Sequence, residues 1–111
     1  MEMVIRQFGV YLVPLDPAIG NEMKKTRPCV VVSPDVVNRN VHTVLIAPLT
    51  STDKGWPSRV PCNFNGHSGA VALEQMRCVD HSRLLRYVGE MDALTNRAIS
   101  KTLMRMFAYR D

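Results

Sequence analysis

Apolar and polar positions along the chain alternate in short blocks, and only the last block has a helical period. GVYLVPL (9–15) is a compact run of β-formers, punctuated by Pro14 and Pro17. DPAIGNEMKKT (16–26) follows with Asp-Pro, Gly and Asn, residues that supply turn conformations, and predicts a loop. RPCVVVS (27–33) is apolar and β-branched on consecutive positions, the pattern of a strand covered on both faces. SPDVVNRN (33–40) suits a single helical turn or a turn-rich loop, and HTVLIAPLT (42–50) is a third β-rich run.

STDKGWPS (51–58) predicts a second polar loop. RVPCNF (59–64) predicts a strand, which Pro61, lacking an amide proton, places at a sheet edge. NGHSG (65–69) reads as a turn, AVALEQMRCVD (70–80) as one or two short strands, and HSRLLRYV (81–88) as a segment able to hold a helical turn. In MDALTNRAISKTLMRMFAYR (91–110), Leu94, Ala98, Ile99, Leu103, Met106 and Phe107 recur at helical spacing behind Asp92, a fitting N-cap. Arg97, Lys101 and Arg105 recur every four residues on another face, as on a solvated helix surface. Five to seven short strands followed by one amphipathic helix predict a mainly β fold, a small barrel or curled antiparallel sheet with a C-terminal helix packed on it.

A length of 111 residues suits one domain, 1–111, and is enough to build its own core. No apolar run approaches the ~20 residues of a membrane-spanning helix. MEMVIRQFG lacks the charged-then-apolar pattern of a signal peptide, so a cytoplasmic location is expected. The net charge of +4 favours an acidic partner such as nucleic acid. Cys29, Cys62 and Cys78 are odd in number and form no CxxC pair, which predicts reduced thiols packed as small apolar residues. His42, His67 and His81 stand at no metal-ligand spacing, so neither metal nor cofactor is expected.

Three polar features sit at the ends of predicted core strands. Arg27 has Glu22, Lys24 and Lys25 just upstream; Thr50 and Ser51 close a strand; Glu74 and Gln75 interrupt an apolar segment. Arginine forks onto phosphate oxygens and can hold the charge that builds on phosphorus in a transition state. A carboxylate can accept the proton of a ribose 2′-hydroxyl, and a threonine hydroxyl can bond a phosphate oxygen. RNA supplies its own nucleophile, so such a rim needs no metal; DNA does not. Each residue also has a structural reading: Arg27 in an ion pair with Glu22, Thr50 bonding local backbone, Gln75 satisfying a buried group. Trp56, the one tryptophan, can stack on an unpaired base or fold back over the barrel.

These residues carry a resemblance to the MazF/PemK (Kid) toxins of bacterial toxin–antitoxin pairs. Their LDP-x-x-G-x-E loop leading to R-P-x-V-V-x-S-P is matched by Leu15-Asp16-Pro17, Gly20, Glu22, Arg27-Pro28 and Ser33-Pro34. The likeness continues through APLTS (47–51), LEQMRCVDHSRL (73–84) and VGEMD (88–92), and spans about 7–107. It implies an SH3-like barrel, usually a homodimer, with metal-independent endoribonuclease activity on single-stranded RNA. The implied products are a 2′,3′-cyclic phosphate and a 5′-hydroxyl end. It implies a cognate antitoxin that blocks the RNA groove, with DNA touched only indirectly, through the antitoxin complex. The implied catalytic residues are Arg27, Thr50 and Glu22, with Lys24, Lys25, Pro28, Ser51, Trp56, Glu74 and Gln75 as RNA contacts. Two departures stand out. Where the PemK/Kid branch has Arg-x-Asp before the glutamine, this chain has Ala72 and Glu74; where strand one usually opens R-G-D, it has Gln7-Phe8-Gly9. The rival expectations are a CcdB-like gyrase poison, whose Trp-Gly-Ile end is absent from MFAYRD, and a non-catalytic RNA-binding barrel.

Overall fold

Every position from Cys29 to Ser33 is buried, and the architecture is built around that fact. In the computed structural model, which describes residues 4–111, these residues continue strand β2 (Thr26–Val31). The first three residues of the stretch read above for a signal peptide lie outside the described residues. Because successive strand side chains point to opposite faces, β2 feeds two cores. Cys29 and Val31 join Tyr11, Val13, Leu15, Val44 and Ile46 on one side. Val30 and Val32 join Val10, Ala47, Val60, Val71, Leu73 and Ile99 on the other. The double burial expected from the apolar run is observed.

β1 (Gly9–Pro14) and β3 (Thr43–Thr50) flank β2, all antiparallel. A single turn of helix, α1 (Asp35–Asn40), joins β2 to β3. β4 (Arg59–Phe64) and β5 (His67–Ala72) form a hairpin about Asn65-Gly66, both at positive φ (51° and 79°), as a type I′ turn requires. β6 (Arg77–Asp80) and β7 (Arg86–Glu90) complete a seven-stranded sheet of order β4-β5-β3-β2-β1-β7, with β6 on β3. β3 changes neighbours along one edge. There Thr43 to Ile46 pair with β6 and Leu49 and Thr50 with β5, while on the other edge Ile46 to Pro48 pair with β2. That handover curls the sheet into the small half-barrel anticipated from the sequence. β4 lies at an edge, as Pro61 demands.

Helix α2 (Ala93–Phe107) closes the second core, and the Asp92 carboxylate caps it by accepting from the Thr95 amide at 2.7 Å. Ile99 is fully buried, with Ala98, Leu103 and Met106 packed beside it. Leu94 and Phe107, expected on that face, are instead 76% and 67% exposed. At 100° per residue Leu94 points about 140° away from Ile99, whereas Thr95, about 40° away, takes the buried place. The other corrections lie upstream. The 65–69 turn is only two residues, and β5 already begins at His67. Leu73–Gln75 is a 3-10 turn that divides 70–80 between the end of β5 and β6, the two-strand alternative of that expectation. The 81–88 segment holds the expected helical turn at His81–Arg83 but then enters β7, paired to β1.

The three thiols differ in environment. Burial pushes the Cys29 thiol up to about 12, against the pull of the Arg27 and Arg77 charges. Cys62 is half-buried and also raised, by burial and then by Asp92 and Asp53, while Cys78 is exposed. With a thiol-specific reagent on the native protein, Cys78 should react first, Cys62 more slowly and Cys29 only on unfolding. Rapid native labelling of Cys29 would be incompatible with the packing of β2.

Candidate active site

Polar groups collect where β2 and β3 leave the core. Continued by two residues, the register that pairs Cys29 with Pro48 and Val30 with Ala47 sets Arg27 across from Thr50. On its other edge β3 pairs here with β5, with Thr50 opposite Ala70. Gly69 permits that approach, since a Cβ there would lie 2.1 Å from the Thr50 carbonyl oxygen. The Thr50 hydroxyl oxygen accepts from the Thr52 amide at 3.2 Å, the local backbone bond that the sequence allowed. Its own proton has no acceptor among the described residues.

The loop before Arg27 is fastened at several points. The Leu15 amide donates to the Lys25 carbonyl at 2.9 Å. Arg77 Nη1 donates to the Leu15 carbonyl at 3.0 Å, and Arg83 Nη2 donates to the carbonyls of Pro14 and Asp16. Gln75 Oε1 accepts from the Met23 amide at 3.1 Å, and Met23 packs against the first core. Glu22 closes the loop tip on itself: its Oε1 accepts from the Ile19 amide at 2.7 Å, with Gly20 at φ +59°. Lys25 takes a left-handed conformation, φ 71°, a costly one for a side chain with a Cβ. Lys24 and Lys25 are exposed. Arg27 Nε donates to the Lys24 carbonyl at 3.0 Å, and among the described residues no carboxylate pairs with Arg27.

The second loop, 51–58, is held by a residue the sequence reading passed over. Arg59 is only 7% exposed. Its Nε and Nη2 meet Glu74 Oε2 at 2.7 and 2.6 Å, and its Nη1 donates to the Thr52 carbonyl at 3.0 Å. Ser58 Oγ donates to Glu74 Oε1 at 2.7 Å. Burial alone would raise the Glu74 carboxyl, but the bonds from Arg59 and Ser58 outweigh it and hold it below its ordinary value. Trp56 rests with Arg59 Cζ and Lys54 Nζ each 4.8 Å from its ring centroid, yet stays 45% exposed. The one sequence signal for Arg59 was a charged residue opening a strand; its partner is 15 positions away.

Two open clefts flank these loops. One, about 420 Å³, is lined by Leu15, Glu22, Met23, Pro48, Gln75 and Arg77 among others. The other, about 590 Å³, is lined by Ser51, Asp53, Asn63, Asp92 and Leu94 among others. Arg27 and Thr50 line neither; they stand at the adjoining ends of β2 and β3, while Glu22 lines the first cleft and Ser51 the second. Pro28 lies within β2, half-buried and paired with Leu12. Glu74 and Gln75, expected to touch a ligand, are engaged by the protein itself.

Fold and rim together define a small curled β-barrel with a C-terminal helix, its polar chemistry displayed on an open strand end rather than in a closed pocket. The family model for the PemK-like, MazF-like toxins of type II toxin–antitoxin systems matches residues 6–107, and the chain belongs to that family. It is 27% identical over 96 residues to endoribonuclease EndoA of Bacillus subtilis, covering 81% of this chain and 83% of that protein. It superposes on a crystal structure of MazF from Deinococcus radiodurans with a TM-score of 0.83 at 25% identity, covering 97% of this chain and 100% of that one. An endoribonuclease in complex with its cognate antitoxin, from a mycobacterial species, shares the fold at a TM-score of 0.80 and 21% identity, with 96% and 98% of the two chains covered.

The Glu74 clasp has a pH signature. A carboxylate whose native pKa is depressed adds stability above its ordinary value of 4.5 and loses it as pH falls through the lower native value. Glu74→Gln should therefore be less stable than wild type at neutral pH, with the gap closing as pH falls below 4.5. Denaturant midpoints measured from pH 7 to about pH 3 test this; a gap that stays constant would remove Glu74 from the clasp.

Proposed function

We propose that the protein is a toxin endoribonuclease that cuts single-stranded RNA at short sequences and is neutralised by a cognate antitoxin. The observation that carries this reading is that Arg27 and Thr50 stand at the adjoining ends of the antiparallel strands β2 and β3. Arg27 is tied by Nε, with no partner at either Nη among the described residues; extending the β2–β3 register by two residues sets it across from Thr50, whose hydroxyl proton has no acceptor among the described residues. Two donors of this kind suit the non-bridging oxygens of a phosphodiester. The open rim suits a chain passing across it better than a small molecule enclosed in it. Family membership and the likeness to EndoA support RNA as that chain.

The ribose 2′-hydroxyl attacks the adjacent phosphorus; the new O2′–P bond forms as the P–O5′ bond breaks. Glu22, whose Oε2 makes no hydrogen bond among the described residues, takes the 2′ proton, and a solvent water on the open rim gives a proton to the leaving 5′ oxygen, so that one proton passes net from O2′ to O5′. The products are a 2′,3′-cyclic phosphate and a 5′-hydroxyl end. Arg27 holds the extra charge on the phosphoryl oxygens; a guanidinium keeps its charge at any working pH, so its part is electrostatic. Thr50 orients the phosphate. Lys24 and Lys25 draw in the backbone, and the half-exposed Trp56 ring offers a surface for a base. Since the substrate brings its own nucleophile, no metal-bound water is called for.

In this reading residues 1–111 form one toxin domain that works in the cytoplasm as a homodimer, as the family resemblance suggests. Among the described residues no helix is long and apolar enough to cross a membrane. The antitoxin covers the RNA groove, and promoter DNA is met only through the toxin–antitoxin complex.

Incubating the purified protein with a long unstructured RNA in EDTA should give discrete cuts with 5′-hydroxyl ends. Arg27→Ala should lower the cleavage rate by about 10²–10³ while keeping the native fold, the usual cost of removing one charge-stabilising donor. Undiminished cutting by the variant would take Arg27 out of the site. RNA left whole by wild type would turn attention to gyrase and to simple RNA binding.

A further inference from the structure

Two chains of hydrogen bonds start from neighbouring residues of the 3-10 turn Leu73–Gln75 and end on the two rim side chains. In the first, Gln75 Oε1 accepts from the Met23 amide, and the carbonyl of the next residue, Lys24, accepts from Arg27 Nε. In the second, Glu74 binds Arg59, Arg59 donates to the Thr52 carbonyl, and the Thr52 amide donates to Thr50 Oγ1. The turn is itself fixed. Leu73 is buried in the second core, its amide donates to the Ser58 carbonyl at 3.1 Å, and the Met76 amide returns to the Leu73 carbonyl at 3.2 Å.

We infer that Glu74 and Gln75 are positioning residues: the turn holds both loops, setting the direction of the Arg27 guanidinium through one and of the Thr50 hydroxyl through the other. The consequence for catalysis rests on the cleavage reading above; the relays themselves do not. The arrangement answers a physical need. Arg27 emerges from a loop with Lys25 at positive φ, and a long side chain on such a loop has many rotamers to lose. One bond to Nε fixes the plane of the fork and leaves Nη1 and Nη2 for the ligand. The Thr52 amide acts in the same way on Thr50, occupying an acceptor lone pair so that the hydroxyl proton is directed elsewhere.

The same bonds argue against Glu74 and Gln75 as contacts to RNA. Both Glu74 oxygens are occupied, by Arg59 and Ser58. The Gln75 acceptor is used, and its side chain is half-buried beneath the loop.

Two readouts on the full chain decide the matter. The first is amide and guanidinium Nε–H exchange followed by NMR. Gln75→Ala should speed exchange at the Met23 amide and Arg27 Nε–H by about tenfold or more, while Gln75→Glu, which keeps the acceptor, should leave both near wild type. Glu74→Ala should do the same at the Thr52 amide without touching Met23. The second is cleavage of a mapped RNA. Gln75→Ala should lower kcat by about 10- to 100-fold, as misplacement by an ångström does, with little change in KM. Unchanged exchange in Gln75→Ala overturns the relay. A raised KM at constant kcat overturns it in favour of a direct RNA contact. If wild type cuts no RNA, the exchange experiment still decides the relay, and it is the ribonuclease reading that falls.

Discussion

β2 is buried on both faces from Cys29 onward, and a strand so placed has no position along its length for an ionised side chain. Charge can gather only where the strand leaves the core. Arg27 is half-buried at that boundary, and Lys24, Lys25 and Thr26 just before it are exposed. The crowding of basic groups into 24–27 is thus a product of the core as much as of the rim. The same constraint acts on β3, whose buried stretch ends at Pro48 and whose first hydroxyl beyond it is Thr50. Two buried strands in one antiparallel register must end side by side, and whatever polar residues they carry there are brought together.

Loops that carry functional groups are usually the less ordered part of a fold. Here the restraint is supplied by side chains reaching from the β6 side of the sheet. Arg77, Arg83 and Gln75 hold backbone groups of residues 14–23, and Arg59 with Glu74 holds Thr52. The Arg59–Glu74 pair is not an obvious gain in stability, because taking an arginine out of water costs much of what the pairing returns. Its geometry is directional, however, and it joins the 51–58 loop to the turn that also restrains the first loop. Specific placement is the better-supported use of such a pair.

What was legible in the sequence was local. A five-residue apolar run reported double burial, Pro61 reported an edge, and Asp92 followed by an apolar period reported a capped helix. What was not legible depended on partners remote in sequence. β7 has an outward Tyr87 and half-buried Val88 and Gly89, so its strand character comes from pairing with β1 rather than from its own pattern. Glu74 drew notice as a polar residue in an apolar stretch, but only the β4–β5 register, Arg59 beside Ala72, reveals its partner. Leu94 and Phe107 misled because a period-based reading admits residues at the margin of a helical face, and packing against one narrow sheet surface excludes them. Arg27, Thr50 and Glu22 could be named from the resemblance, but the support beneath them could not, because it consists almost wholly of side chain-to-backbone bonds across 7 to 69 positions for Arg59, Gln75, Arg77 and Arg83.

The charge pattern gives the rim a direction. On the side of the first loop stand Lys24, Lys25 and Arg27, which has no carboxylate partner among the described residues; on the other, the cleft lined by Ser51 presents Asp53 and Asp92. Asp92 is kept ionised by the Thr95 bonds of the helix cap, which depress its carboxyl, so this negative charge is built into the fold. An anionic backbone is attracted to the first side and repelled from the second. Groups that donate hydrogen bonds without carrying negative charge are the ones the acidic cleft can accept. An anionic polymer lying across the rim is therefore drawn toward the β2 loop and away from the far cleft. Arg59, neutralised by Glu74 and covered by Trp56, adds little net field between them.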